Sequence, residues 1–87
     1  MTDAEINLAI AKIEYPDRDW LLHKNGNIAH GYDYCKYWSD IGPIIERERI
    51  DVITMGLHKW VAMREVKAEA ETPTKAAALC YLKMRES

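Results

Sequence analysis

Apolar residues recur at helical spacing near the start of the chain. Three isoleucines fall at positions i, i+4 and i+7: Ile6, Ile10 and Ile13. This spacing predicts an amphipathic helix with one buried face. Thr2 or Asp3 supplies its N-cap, and Glu5 completes a weak capping box with Thr2. The helix is predicted to run to about residue 15, because Pro16 disfavours helical backbone at the residue before it.

Two short runs of mixed polarity, 20–24 and 27–31, flank the pair Asn25-Gly26. Asn-Gly is the strongest short hairpin signal, because both central residues of a type I′ turn need a positive φ. A two-residue loop pairs His23 with Ile28. We therefore predict a first β-hairpin in this segment.

A second helix is predicted after the tyrosine-rich segment that follows this hairpin. Ser39 or Asp40 is its expected cap, Pro43 its first-turn proline, and Arg49 lies near its end. Its buried stripe consists of three isoleucines: Ile41, Ile44 and Ile45. Trp38 is expected to pack beneath this helix as part of the core.

The second half of the chain predicts a further hairpin and a final helix. Residues 50–55 and 59–66 are rich in β-branched side chains and have a glycine between them, which is typical of a hairpin. The charged stretch 67–71 is expected to be a mobile connection. Thr72-Pro73 marks a helix start, with the threonine as cap and the proline at the first position.

The predicted order of helix, hairpin, helix, hairpin and helix is typical of an α+β fold. With 87 residues, the chain has room for one domain, which we place at 1–87. We expect an antiparallel sheet with the helices packed on one face. The two hairpins are expected to join in one sheet, because an isolated hairpin is marginally stable in water.

Composition and charge exclude several classes of protein. A hydrophobic content of 48% with 30% charged residues indicates an ordered globular chain. The net charge of −2 argues against general nucleic-acid binding. The longest apolar stretches are shorter than the roughly 20 residues that cross a bilayer, and the acidic start lacks the positive region of a secretory signal. We therefore expect a cytoplasmic protein whose cysteines, Cys35 and Cys80, stay reduced.

Several short motifs in the second half of the chain form a recognisable pattern: Trp38, Gly42-Pro43-Ile44-Ile45-Glu46-Arg47-Glu48, Ile50, Trp60-Val61-Ala62, Thr72-Pro73, Ala76-Ala77 and Cys80-Tyr81. In these motifs the chain resembles the NinX-like family of small tailed-phage and prophage proteins. The resemblance covers residues 37 to 83, and the first 36 residues match less closely. It implies expression in the cytoplasm of a bacterial host, during infection or from a prophage. The family has no established activity, so the resemblance supplies no catalytic residues.

The sequence favours structural explanations over metal binding and nucleophilic catalysis. His23 and His30 are diagonal neighbours on one face of the predicted hairpin, roughly 7 Å apart. With Asp33 or Cys35 they form the start of a metal site, but a zinc site needs three or four ligands, so two surface histidines are the favoured interpretation. Cys35 lacks an orienting group that would make it a nucleophile, and a structural thiol is favoured.

The tyrosine-rich loop and the first hairpin form the best candidate surface, because tyrosine and tryptophan are enriched in binding hot spots. The predicted partner-binding residues are His23, Lys24, His30, Tyr32, Tyr34, Lys36 and Tyr37. We expect an accessory phage protein without catalytic activity or cofactor that binds a host or phage protein, with a homodimer as one form of this binding. The alternatives are a nucleic-acid-binding module that stacks its rings on bases and, least favoured, a small metal-dependent enzyme.

Overall fold

The first helix of the computed structural model follows the sequence prediction closely. The structure describes residues 1–24, 26, 28 and 32–86. Helix α1 spans Asp3–Glu14 and buries Ile6 and Ile10. Its capping box is complete, because the Glu5 N–H donates to the Thr2 hydroxyl at 3.2 Å and the Thr2 N–H donates to the Glu5 carboxylate at 2.9 Å. The predicted helix and cap are confirmed.

The segment of the first predicted hairpin contributes an isolated antiparallel bridge between Leu22 and Ile28. The predicted register, which paired His23 with Ile28, is wrong by one residue. The turn starts earlier than expected, because the His23 carbonyl accepts the Gly26 N–H at 2.9 Å. Residues 25, 27 and 29–31 lie outside the described residues, so the prediction for His30 is not tested.

Helix α2 spans Trp38–Glu48, and Arg49 is its C-cap, close to the predicted end. Its start differs from the prediction, because Ser39 and Asp40 lie inside the first turn and do not serve as caps. Pro43 therefore falls in the second turn. The predicted buried stripe is confirmed in its two innermost members, Ile41 and Ile44.

The described residues form a three-stranded antiparallel sheet in the order β1-β2-β3: β1 is Asp51–Thr54, β2 is Trp60–Arg64 and β3 is Val66–Ala70. The predicted second hairpin is confirmed as β1 and β2. The expectation of a mobile connection at 67–71 is wrong, since most of this stretch belongs to β3. Small apolar residues alternate there with charged ones, so that Ala68 faces the core while Lys67 and Glu69 stay exposed.

The bridge at Leu22 and Ile28 is separate from this sheet. The prediction that both hairpins share one sheet is therefore wrong for the part of the chain that the structure describes. Ile28 instead buries its side chain in the main core. Packing against the core stabilises this short segment without strand pairing to β1, β2 or β3.

Helix α3, at Pro73–Glu86, packs against all three strands and both other helices. Thr72 caps it as predicted, by accepting the Lys75 N–H at 3.3 Å. The contacts of α3 with β2 and β3 are more extensive than those with β1, and the helix also packs on α1 and α2. Its three consecutive alanines are completely buried: Ala76, Ala77 and Ala78. The α+β class with an antiparallel sheet is confirmed.

Large rings occupy the core in places that differ from the prediction. Tyr81 is completely buried and Tyr34 nearly so, whereas Trp38 is 54% exposed. Trp38 is the first residue of α2. Helical side chains lean toward the N-terminus, so its indole extends beyond the N-terminal end of the helix, where it is exposed. Across the described ranges, no helix is long and apolar enough to cross a membrane.

Candidate functional site

A tight turn at residues 33–37 connects the tyrosine-rich segment to α2. The Asp33 carbonyl accepts the N–H of Lys36 at 3.2 Å and the N–H of Tyr37 at 2.9 Å. The Asp33 N–H donates in turn to the Asp40 carboxylate at 2.9 Å. Asp40 therefore stabilises the preceding turn, which explains why it does not cap its own helix.

Asn7 joins this turn to α1. Its side chain is buried, and both ends of the amide are used. The Nδ2 group donates to the Asp33 carboxylate at 3.0 Å, and Oδ1 accepts the Cys35 N–H at 3.2 Å. From α3, the Thr74 hydroxyl donates to the Cys35 carbonyl at 2.6 Å. Hydrogen bonds to all three helices thus fix the position of the turn.

The tyrosines of this segment divide into a packed cluster and an exposed part. Tyr34 is only 2% exposed and stacks on Tyr32 at 5.9 Å between ring centroids. The half-buried Tyr32 also contacts Trp20 edge-on at 5.7 Å and Tyr15 at 6.0 Å. The expectation that Tyr34 lies on an exposed binding surface is therefore wrong. Burial of this hydroxyl also raises the pKa of Tyr34.

Two adjacent rings remain open to solvent beside this packed cluster. Tyr37 is 46% exposed and Trp38 54%. The Lys36 ammonium lies 5.4 Å from the centroid of the Tyr37 ring, within the range of a cation–π contact. We call these three residues the Tyr37–Trp38 surface. Sequence reasoning missed Trp38, although its place at the start of a helix was a signal that it could lie outside the core.

The remaining predicted residues belong to the segment around the Leu22–Ile28 bridge. His23 and Lys24 are exposed there, and His30 lies outside the described residues. The proposed pairing of His23 with His30 on one face of a hairpin is therefore not tested. Within the described ranges, no group of three or more His, Cys, Asp or Glu side chains is arranged to hold a metal ion.

A cleft of about 520 Å³ adjoins the Tyr37–Trp38 surface. It lies between the start of α1, the 33–37 turn, the end of β3 and the start of α3. Its lining residues are Asp3, Asp33, Cys35, Lys36, Glu69, Ala70, Glu71, Thr72, Lys75 and Leu79. Lys36 belongs both to this lining and to the Tyr37–Trp38 surface, so the two features are continuous.

Carboxylates outnumber ammonium groups in this cleft. Four acidic side chains face two lysines, Lys36 and Lys75, which leaves a formal charge of −2. Lys75 is already paired with Asp3 at 2.8 Å, and this hydrogen bond raises the pKa of Lys75. We call this feature the acidic cleft. Its charge favours a cationic group as the occupant.

The comparison with protein families covers almost the whole chain. The family model described as "Bacteriophage P22, NinX" matches residues 1–85. The chain belongs to the NinX family. This match includes the first 36 residues, beyond the motifs at 37 to 83, so the turn, the Tyr37–Trp38 surface and the acidic cleft all lie within the family region. No curated protein and no solved structure matches the chain.

The thiol of Cys35 borders the acidic cleft in this member of the family. Burial raises the pKa of Cys35 to about 12, so the thiol is protonated at neutral pH. Its Sγ lies 3.9 Å from the Asp3 carbonyl, as a weak donor to it. Cys80 is buried against the sheet, where its Sγ lies 3.7 Å from the Val66 carbonyl. Both cysteines are free.

Proposed function

We propose that this small phage protein acts without catalysis, by binding a host or phage protein in the cytoplasm of the bacterial host. The Tyr37–Trp38 surface is the binding site in this proposal. The observation that supports it is the exposure of two adjacent aromatic rings at the point where a turn that is hydrogen-bonded to three helices enters α2. A large ring on a rigid base buries much area on binding and loses little conformational entropy.

The acidic cleft suggests the chemistry of the partner. A lysine or arginine side chain has an aliphatic stem and a cationic end. In the cleft, Leu79 and Ala70 offer apolar contacts for such a stem, and the carboxylates of Glu71 and Asp33 offer acceptors for its charge. A partner segment that carries a basic residue next to an apolar one therefore fits the combined surface.

Nucleic-acid binding is the second candidate, because exposed rings next to Lys36 favour stacking on bases. The adjoining acidic cleft opposes it, since carboxylates repel phosphate groups. The excess of carboxylates over lysines in the cleft therefore favours a protein partner.

Site-specific photo-cross-linking tests the proposal. A benzophenone amino acid at position 38 is expected to cross-link one defined host or phage protein in infected cells. The same group at position 46 is the control, because Glu46 is also exposed on α2. It lies eight residues after Trp38 and therefore about 12 Å further along the helix.

Substitution then measures the contribution of the rings. For the protein cross-linked at position 38, Trp38→Ala is expected to weaken binding about tenfold or more, as for a hot-spot residue. Glu46→Ala is expected to leave the affinity within about threefold, because surface changes outside a hot spot have small effects. Equal affinity for the Trp38→Ala and parent proteins would contradict the proposal. Loss of the cross-linked product after nuclease treatment would instead favour nucleic acid.

A further inference from the structure

The two edges of the sheet differ in how well they are covered. At the β3 edge, the Lys83 ammonium donates to the Lys67 carbonyl at 2.8 Å, and the Cys80 thiol lies against the Val66 carbonyl. Strand β1 pairs with β2 on one side only, and α3 packs on β1 least of the three strands. Among the described residues, β1 is therefore the open edge of the sheet.

The hydrogen-bonding pattern shows which β1 groups point to this open edge. The Met55 N–H donates to the carbonyl of Lys59, its direct partner across the hairpin, at 2.8 Å. Bonded and non-bonded pairs alternate along an antiparallel ladder. Ile53 therefore directs its backbone groups toward β2, while Val52 and Thr54 direct theirs toward the open edge.

Of the four β1 side chains, only that of Asp51 carries the charge that usually protects an edge strand. Ile53 is 44% exposed on the face of the sheet opposite the helices. It lies beside Val61, which is buried yet outside the main core cluster. The hairpin loop continues this apolar surface, with Met55 and Leu57 both exposed.

We propose that the open edge of β1 pairs antiparallel with β1 of a second copy of this chain, so that one sheet continues across both copies. A twofold axis at Ile53 places Val52 opposite the partner's Thr54, and both residues present their backbone groups to the open edge. Val52 and the partner's Thr54 therefore form a hydrogen-bonded pair on each side of the axis. Ile53 then contacts the partner's Ile53 at the close spacing of a non-bonded pair, roughly 4.5 Å between Cα atoms.

Charge favours a second copy as the occupant of this edge. In the same register, Asp51 lies opposite the partner's Met55, whose own partner across the hairpin is Lys59, the residue before β2. The Lys59 ammonium forms an exposed ion pair with Glu69 of its own copy at 3.5 Å. Lys59 lies two strand spacings, roughly 9.6 Å, from Asp51, so its long side chain also reaches the Asp51 carboxylate. The acidic residue at the start of β1 in one copy thus lies near the lysine that precedes β2 in the other. This pairing is independent of the Tyr37–Trp38 surface and does not require the proposed function.

Sedimentation of the full chain over a range of concentrations tests the pairing. The parent protein is expected to shift from monomer to dimer below about 1 mM, since a short edge gives weak but specific association. Ile53→Lys is expected to raise the dimer dissociation constant at least about tenfold, because like charges then face each other across the axis. Leu21→Lys is the matched control, since Leu21 is exposed on another segment and should leave dimerisation unchanged.

Two further variants separate strand pairing from a general effect of charge. Val52→Pro removes an N–H that faces the open edge and not β2, so it should abolish the dimer while circular dichroism stays that of the parent. Mixing Ile53→Lys with Ile53→Asp chains should restore a dimer that neither forms alone. A parent protein that stays monomeric up to about 1 mM would overturn the proposal. A dimer that persists in both Ile53→Lys and Val52→Pro would also overturn it.

Discussion

Asn7 shows how one buried polar residue determines the position of a functional segment. It lies on the same helix as the isoleucine stripe, yet its amide is directed to the 33–37 turn, where it bonds to Asp33 and to the Cys35 N–H. A buried amide with both ends bonded is stable, whereas its removal leaves a buried N–H without a partner. The position of the Tyr37–Trp38 surface therefore depends on Asn7.

Asn7→Ala is expected to lower the free energy of unfolding by about 1 to 3 kcal/mol, the cost of an unsatisfied buried donor. Urea unfolding measures this change, and hydrogen exchange at the Cys35 amide should become faster. Lys12→Ala is the control, because Lys12 is exposed on the same helix and its loss should matter by at most about 0.5 kcal/mol. An unchanged Cys35 exchange rate in Asn7→Ala would contradict the role given to this amide.

At the scale of elements, the end of α2 has a conformation that its residue does not favour. Arg49 adopts a left-handed conformation with φ 55° and ψ 46°, and its N–H bonds to the Ile45 carbonyl. Helices often end in this conformation, but usually with glycine, because a Cβ is strained there. The chain therefore turns from α2 into β1 although arginine disfavours the left-handed backbone conformation that this turn requires.

Arg49→Gly is expected to stabilise the protein by about 0.5 to 1 kcal/mol, because relief of the left-handed strain exceeds the added entropy of the unfolded chain. Thermal unfolding measures the gain as a higher Tm. Arg49→Ala is the matched control, since it removes the same charge but keeps the Cβ. If the two variants melt at the same temperature, the strain argument is wrong.

At the scale of the whole molecule, one polar network joins the three helices. The Arg47 guanidinium of α2 donates to both oxygens of the Glu14 carboxylate at the end of α1, at 2.8 and 2.9 Å. The Tyr81 hydroxyl of α3 donates to the same carboxylate at 2.6 Å. The hydrogen bond from Arg47 lowers the pKa of Glu14. The charged form of Glu14 is therefore favoured in the folded protein.

A lowered pKa in the folded state links this network to pH. The contribution of Glu14 is fully present above its unfolded pKa of about 4.3 and is lost as the pH falls through the lower folded value. Glu14→Gln should therefore be less stable than the parent at pH 7, and the difference should shrink below about pH 4. Urea unfolding from pH 7 to pH 3 measures both effects.

Glu46→Gln serves as the control for that measurement, because Glu46 is exposed on α2. Its stability curve is expected to run parallel to that of the parent. A constant difference between Glu14→Gln and the parent over the whole pH range would exclude the proposed linkage.

Local interactions allowed much of the fold to be predicted from the sequence. The Thr2 capping box, the Thr72-Pro73 helix start and the β-branched hairpin each depend on residues a few positions apart, and the structure contains all three. Two of the three isoleucines predicted for the buried stripe of α2, Ile41 and Ile44, are buried as well. Lys36 and Tyr37, two of the predicted binding residues, are exposed as a binding surface requires.

Only the tertiary structure decided which rings are buried and which strands pair. Tyr34 and Trp38 are four positions apart in an aromatic segment, and their opposite exposure depends on how the 33–37 turn packs against α1 and α3. The last strand, β3, needs β2 beside it and α3 above it before its alternating small residues are buried. The sequence by itself determined the helices and the central hairpin, because their stabilising contacts are local. It did not determine the candidate site, because that site forms where segments distant in sequence meet.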